Sequence, residues 1–340
     1  IENLETYMRT KGYFSSSVAC EVDTTRRKRR AEITYRLTQR EAMRIESLDY
    51  DFRDTSLRSI ILADTQKTII RPGDVLDITQ LDEERNRIAS ELNNRGYFDF
   101  TVNNITYEVD TIGLHDRAKV TMIISPMLVR YDERGRPEYE NHSIYRVRNI
   151  NIFPTYDPML RSSMGFKADA VIDTVSYGGL SIIRDLTATP RLRDVVLRRV
   201  VPMQPNSIYS SRMVQETYNE LMSLGFFRNS KINFERVPNE KSYVSYVGKQ
   251  GNEDVLVNTS EQYLDCNIFA APALKQSLKA EVEASSTSTF LGLSATLGYS
   301  NTNIFRGAEA FDKELGAYDE IESQIDSIFS NFRHCFTKML

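Results

Sequence analysis

The sequence predicts an α+β protein made of tandem β-α-α-β-β repeats followed by a short run of antiparallel strands. Three observations carry that prediction. A Gly-aromatic-Phe phrase occurs three times, as Gly12-Tyr13-Phe14, Gly96-Tyr97-Phe98 and Gly225-Phe226-Phe227, at domain-sized spacings of 84 and 129 residues. Before each phrase the apolar residues recur at helical intervals, and after each the period switches to two. A glycine at that switch suits the left-handed residue that ends a helix.

The first copy shows a helical face of Ile1, Leu4, Tyr7 and Met8, then Val18, Cys20 and Val22, then Ile33, Tyr35 and Leu37. Between the two alternating runs, Arg26–Arg30 reads as a solvated hairpin tip, with nucleic acid or anionic lipid head groups as the sharper alternative. The opening strand and helix are missing from this copy. Residues 1–41 are therefore expected to be a partial repeat, α-β-β, and the chain to start inside a domain.

The second copy, residues 42–126, reads in full. A strand over Met43–Phe52 precedes a short helix over Ser56–Thr65, and the turn Arg71-Pro72-Gly73-Asp74-Val75-Leu76 leads into a helix carrying Leu81, Ile88, Ala89 and Leu92. Phe98, Phe100 and Val102 then predict one strand, and Val120, Met122 and Ile124 another. Residues 127–142 read as a linker.

The third copy spans residues 143–272, with an insertion at about 155–190. Its strand covers Tyr145–Phe153, its first helix Leu192–Val200, and Met203-Gln204-Pro205-Asn206-Ser207-Ile208-Tyr209 echoes the earlier turn. Met213, Val214, Thr217, Leu221 and Leu224 give the second helix; Ile232 and Phe234, then Leu264, Cys266 and Ile268, give strands.

Composition narrows the function. Lys and Arg total 43 against 47 Asp and Glu, so no global basic field points to nucleic acid. Three scattered cysteines and three histidines supply neither a disulfide framework nor a zinc cage. No phosphate loop or Ser/His/Asp order is present, and Asp82–Glu84 suits a helix start. The reading is of a non-enzyme with no catalytic, cofactor-binding or metal residues, and no cofactor is expected.

The β-α-α-β-β order with its Gly-Tyr/Phe-Phe phrases resembles the POTRA (polypeptide-transport-associated) domains of the BamA/TamA family of outer-membrane assembly proteins. The resemblance covers Ile1 to about Tyr318. Ser176-Tyr177-Gly178-Gly179-Leu180 resembles an insertion typical of TamA-like lipoproteins of Bacteroidetes-type bacteria. The implied fold class is α+β: tandem POTRA domains, then, over residues 273–318, the first two or three antiparallel strands of an incomplete outer-membrane β-barrel.

The residues themselves leave the last part open. Leu278, Ala280, Val282 and Ala284 alternate with polar neighbours, and Leu291, Leu293, Ala295, Leu297 and Tyr299 alternate with Gly292, Ser294, Thr296 and Gly298. Membrane strands and half-buried soluble strands both give that pattern. The resemblance favours the barrel, because Ser300–Glu309 is similar to its turn between second and third strands, and it makes Leu291, Leu293, Leu297 and Tyr299 the lipid face. Ala310–Tyr318 reads as a third strand. Phe305-Arg306-Gly307-Ala308 is only superficially similar to the family's Val-Arg-Gly loop motif, so that role is not carried to Arg306. Residues 319–340, with Ile325, Ile328, Phe329 and Phe332 on one face, read as an amphipathic helix outside the family pattern and a cover for the apolar strands.

The resemblance implies a periplasmic location at the outer membrane of a Gram-negative bacterium. It implies as partners unfolded outer-membrane proteins, periplasmic or inner-membrane assembly subunits, and the bilayer through a barrel. It implies β-augmentation at the sheet edge, with Phe98, Phe100, Val102, Phe227, Ile232 and Phe234 as candidate contacts. The phrases themselves, Gly12, Tyr13, Phe14, Gly96, Tyr97, Phe98, Gly225, Phe226 and Phe227, are read as structural caps with core aromatics. The alternative is a soluble periplasmic scaffold that tethers envelope complexes without handling clients.

Overall fold

The computed structural model describes residues 1–23, 31–113, 115–160, 165–189, 191–238, 242–250, 253–286 and 291–320. Two compact units divide the chain. The first holds Ile1–Val147, Asn206–Arg212 and Arg236–Leu264, and the second the remainder.

In the first unit, α1 (Glu2–Thr10) leads to β1 (Ser17–Asp23) and β2 (Glu32–Thr38). These two strands pair antiparallel with Val18 opposite Leu37, Cys20 opposite Tyr35 and Val22 opposite Ile33, so the two alternating runs face each other as expected. The Arg26–Arg30 tip lies outside the described residues.

The second repeat follows as β3 (Arg44–Phe52), α2 (Arg58–Ala63), α3 (Ile78–Asn94), β4 (Ile105–Asp110) and β5 (Arg117–Ile124). Its sheet has the order β3-β5-β4, with β5 parallel to β3 and antiparallel to β4. Asp77 starts α3 by accepting the Thr79 amide at 2.8 Å. Gly96 stops it: φ is +103°, and the Tyr97 amide reaches back to the Leu92 carbonyl at 3.1 Å. Gly12 ends α1 the same way, with φ +85° and Tyr13 N–H bonded to Met8 O at 2.9 Å.

Leu57, Ile61, Ile88, Leu92, Tyr97, Phe100, Met122 and Ile124 form one apolar cluster of this repeat, and Ile45, Ile70, Leu76, Leu81, Ala118 and Val120 a second. Glu84, read as part of a charged helix start, is instead buried. Its carboxylate accepts from Arg87 at 2.7 and 2.9 Å, Thr68 Oγ1 at 3.0 Å and the Ile69 amide at 3.1 Å. A buried carboxylate is tolerable when its lone pairs are filled in this way.

Two expectations need correction. Phe98, Phe100 and Val102 do not form a strand. The chain turns there, and Val102–Asn104 is a 3-10 turn fixed by the Thr101 amide on Asn104 Oδ1 at 2.9 Å, so β4 starts only at Ile105. The stretch read as a linker contains a hairpin, β6 (Met127–Tyr131) and β7 (Pro137–Glu140). The Asp132 carboxylate closes it by accepting the Arg134 and Arg136 amides.

The third repeat contains β8 (Ile144–Phe153), the inserted β9 (Ile172–Tyr177) and β10 (Leu180–Asp185), then α4 (Asp194–Val200), α5 (Ser211–Ser223), β11 (Phe227–Arg236), β12 (Ser242–Gln250) and β13 (Glu253–Pro272). The sheet order is β11-β13-β8-β10-β9, with β12 pairing to β13. Its β8-β13-β11 part repeats the first-third-second order of the preceding sheet. The insertion adds β10 parallel to β8. Strand β12 had no counterpart in the expected order.

In the second unit, β14 (Gln276–Ser286), β15 (Leu291–Thr302) and β16 (Ala310–Glu320) form an antiparallel sheet. The residues read as a tail helix, 321–340, lie outside the described residues.

Candidate functional site

Strands carry unpaired backbone groups at a sheet edge, and those groups can bond another chain. Both second strands stand at such positions: β4 ends the sheet of the second repeat, and β11 ends that of the third. On β4, Thr106 and Glu108 are exposed, Val109 is 40% exposed, and Tyr107 is anchored inward by its hydroxyl on Leu81 O at 3.2 Å. On β11, Phe227 and Ser230 are buried while Ile232 and Phe234 are half-buried. Phe227 sets its ring edge-on against Phe226.

Of the six proposed edge contacts, Phe227, Ile232 and Phe234 therefore lie on an edge strand. The other three do not. Phe100 is core, with its ring 5.0 Å from that of His142. Phe98 meets Tyr145 and Tyr209 edge-on at centroid distances of 5.6 and 5.0 Å. Val102 sits in the 3-10 turn. The residues that do line the first edge, Tyr107 and Val109, alternate with Ile105 and were legible by that spacing.

The backbone around the turn before each long helix is duplicated between repeats. Gly73 and Asn206 both adopt left-handed φ, +97° and +64°. Their amides bond Ile45 O at 2.7 Å and Val147 O at 2.6 Å. Ile45 N–H and Val147 N–H in turn reach Asp74 O and Ser207 O at 2.9 and 2.8 Å, and Leu76 N–H and Tyr209 N–H reach Met43 O and Tyr145 O at 2.8 and 2.9 Å. Arg44 and Arg146 even repeat the same side-chain bond, to Gly73 O and Asn206 O.

A buried hydrogen-bonded carboxylate ties the end of β3 to His142, just before the third repeat. Asp54 is fully buried and accepts from His142 Nδ1 at 2.7 Å, the His142 amide at 2.8 Å, and the Ser56 amide and hydroxyl at 3.0 and 2.5 Å. Burial alone pushes this carboxyl upward, but the hydrogen bonds from His142 and Ser56 outweigh it and hold the group below the usual carboxylate range. Nearby, Asp99 accepts from the Tyr145 hydroxyl and from Arg236. Burial, with the Asp99 carboxylate second, raises the Tyr145 phenol.

One side of the sheet β14–β16 is apolar across β14 and β15, while β16 brings Lys313 and Asp319 to it opposite Tyr299 and Leu293. Leu278 stands opposite Tyr299, Ala280 opposite Leu297, Val282 opposite Ala295, and Leu297 opposite Leu315. Leu291 and Leu293 occupy β15 positions opposite Ser286 and Ala284. The intervening register positions hold Lys279, Glu281, Thr296, Gly298 and Glu314. Leu278 and Val282 are 64% and 73% exposed. The turn after β15 docks backward, Asn303 Nδ2 onto Arg191 O at 2.8 Å and Arg193 N–H onto Arg306 O at 3.0 Å. That docking holds Asn303, Arg306 and Ala308 in left-handed conformations that residues other than glycine adopt at a cost.

A groove of about 870 Å³ is lined by Thr155, Tyr156, Asp185, Thr187, Arg228 and Lys275 among others. Asp185 Oδ1 accepts there from the Thr187 amide and hydroxyl, both at 2.7 Å. Among the described residues no group of three His, Cys, Asp or Glu could hold a metal ion.

Residues 42–126 match the POTRA family, described as a surface antigen variable number repeat. That segment is thus a POTRA domain, and the match covers the whole β3-to-β5 repeat. No curated protein matches it in sequence. Among solved structures it is similar to POTRA domains 3–5 of Haemophilus influenzae BamA, at 14% identity and TM-score 0.39 over 79% of each chain. It is also similar to Haemophilus ducreyi BamA lacking POTRA domains 1–3, at 12% identity and TM-score 0.45, covering 81% of this chain and 37% of that one. Against POTRA domains 1–3 of Anabaena Omp85 the identity is 10% and the TM-score 0.26, over 80% of each chain.

Proposed function

We propose that the chain is the periplasmic POTRA portion, with the first barrel strands, of an outer-membrane protein assembly or translocation factor of a Gram-negative bacterium. One observation carries this reading: a POTRA domain at 42–126 whose strand order recurs in the next repeat, leaving the same strand, β4 or β11, at the sheet edge. Unfolded outer-membrane clients or partner subunits add to those edges through backbone hydrogen bonds, which give affinity without demanding one sequence. Tyr107 and Val109 on β4, and Ile232 and Phe234 on β11, flank the added strand. The sheet β14–β16 supplies the first lipid-facing strands, with Leu291, Leu293, Leu297 and Tyr299 turned to the bilayer. The Gly178–Gly179 turn between β9 and β10 supports placing the protein with TamA-like lipoproteins.

Photocrosslinkers at Glu108 and Asn229, both exposed edge-strand positions, test the proposal. An unfolded outer-membrane barrel protein should be trapped at both sites, and a folded control at neither. Capture of folded envelope proteins alone would favour the scaffold reading.

A further inference from the structure

The three Gly-aromatic phrases share a helix-ending backbone, but they do not share surroundings. A Cβ built on Gly96 would lie 2.7 Å from Ile208 Cγ2 and 2.9 Å from Ile144 Cγ2, both in the following repeat. One built on Gly12 would lie 2.6 Å from Val75 Cγ1 and 2.9 Å from the Leu76 carbonyl oxygen, again in the following repeat. One built on Gly225 would meet nothing within 4 Å. Helix capping explains positive φ at all three. It does not explain why a side chain is excluded at only two.

The same two glycines accept one equivalent bond. Met43 N–H donates to Gly12 O and Tyr145 N–H to Gly96 O, each at 2.9 Å, from the residue that opens the next repeat. Around each bond, the end of one helix reaches the start of the next long helix. Lys11 Nζ contacts Asp77 Oδ2 at 2.8 Å and Thr79 Oγ1 at 3.2 Å. Asn94 Oδ1 accepts from Ser210 Oγ at 3.2 Å, Ser211 Oγ at 2.9 Å and the Arg212 amide at 2.8 Å, so it caps a helix of the repeat after its own. Phe98 and Asp99 complete the second contact against Tyr145. All of these residues lie within the first compact unit.

We infer that Gly12 and Gly96 are inter-repeat sockets: the missing side chain admits the first strand and pre-helix turn of the following repeat, and the glycine carbonyl latches its opening amide. The inference does not depend on client binding. It concerns how successive repeats are held in line.

Amide hydrogen exchange on the full chain tests it. Gly96→Ala should speed exchange at the Tyr145 amide about tenfold or more while Val120–Ile124 keep their protection. Gly113→Ala and Gly225→Ala, which also place a side chain at positive φ but in open space, should leave the Tyr145 amide unchanged. Adding Ile144→Ala and Ile208→Ala to Gly96→Ala removes the two Cγ2 atoms and should restore protection relative to the Ile144→Ala/Ile208→Ala pair alone. That rescue supports the socket even if Gly96→Ala by itself loosens the whole repeat. Wild-type protection of Tyr145 in Gly96→Ala overturns the inference, and so does failure of the rescue.

Discussion

At the residue scale, Asp54 makes a long-range link inside the first unit. It is fully buried, accepts four hydrogen bonds, and joins the end of β3 to His142 eighty-eight positions later. Its carboxyl is held below the ordinary range, so the folded state binds fewer protons here than the unfolded chain in acid. The stability it contributes is present above the unfolded carboxyl value, about pH 4, and is lost as pH falls through the depressed folded value. Asp54→Ala leaves the His142 ring and the Ser56 amide buried without their acceptor. Urea titration should show a loss of about 3 kcal/mol at pH 7, shrinking toward zero in acid where the wild-type group is itself protonated. A loss that stays constant with pH would show that the carboxylate charge is not the source.

At the element scale, the strongest repeats of pattern were legible and the short local ones were not. The period-two runs of Val18, Cys20 and Val22 and of Ile33, Tyr35 and Leu37 became β1 and β2, whose antiparallel register sets the two runs opposite each other. Phe98, Phe100 and Val102 show the same spacing, yet Thr101 and Asn104 bond each other and turn the chain before a strand can form. Local side-chain bonds defeated the periodicity there. The β6–β7 hairpin went unread although Asp132 and Gly135 are turn residues, since its strands are short and nearly all exposed. The sockets could not be read at all, because they depend on contacts between residues far apart in sequence. The apolar side of β14 and β15 makes its own prediction. Burying one aliphatic side chain is worth about 1.5–3 kcal/mol, so Leu278→Ser with Val282→Ser should weaken detergent-micelle binding about a hundredfold or more. Equal micelle partition of the variant and the parent, measured by flotation or fluorescence, would remove these strands from the lipid-facing reading.

At the scale of the whole molecule, the second repeat carries its own core. The buried members of both apolar clusters lie between Ile45 and Ile124, with Ile144 packing on one of them from the following repeat, so residues 42–126 alone should unfold in one cooperative transition. That fragment lacks His142. Extending it to residue 142 should raise its stability and steepen its acid dependence, and identical melting of the two fragments would deny Asp54 its long-range role. The sockets have a consequence of a different kind. The part common to both is an absent side chain and a bond between main-chain groups that every residue possesses, while the side chains around it differ, so a repeat carries that common part whenever it is copied. The second repeat receives its predecessor at Met43 and offers Gly96 to its successor. Tandem duplication of such a segment would carry both halves of the joint together, and a new copy would find its place without matching changes in its neighbours. Repeat number could then change while the shared part of the joint stays the same, a freedom that a connector built wholly from paired side chains would lack.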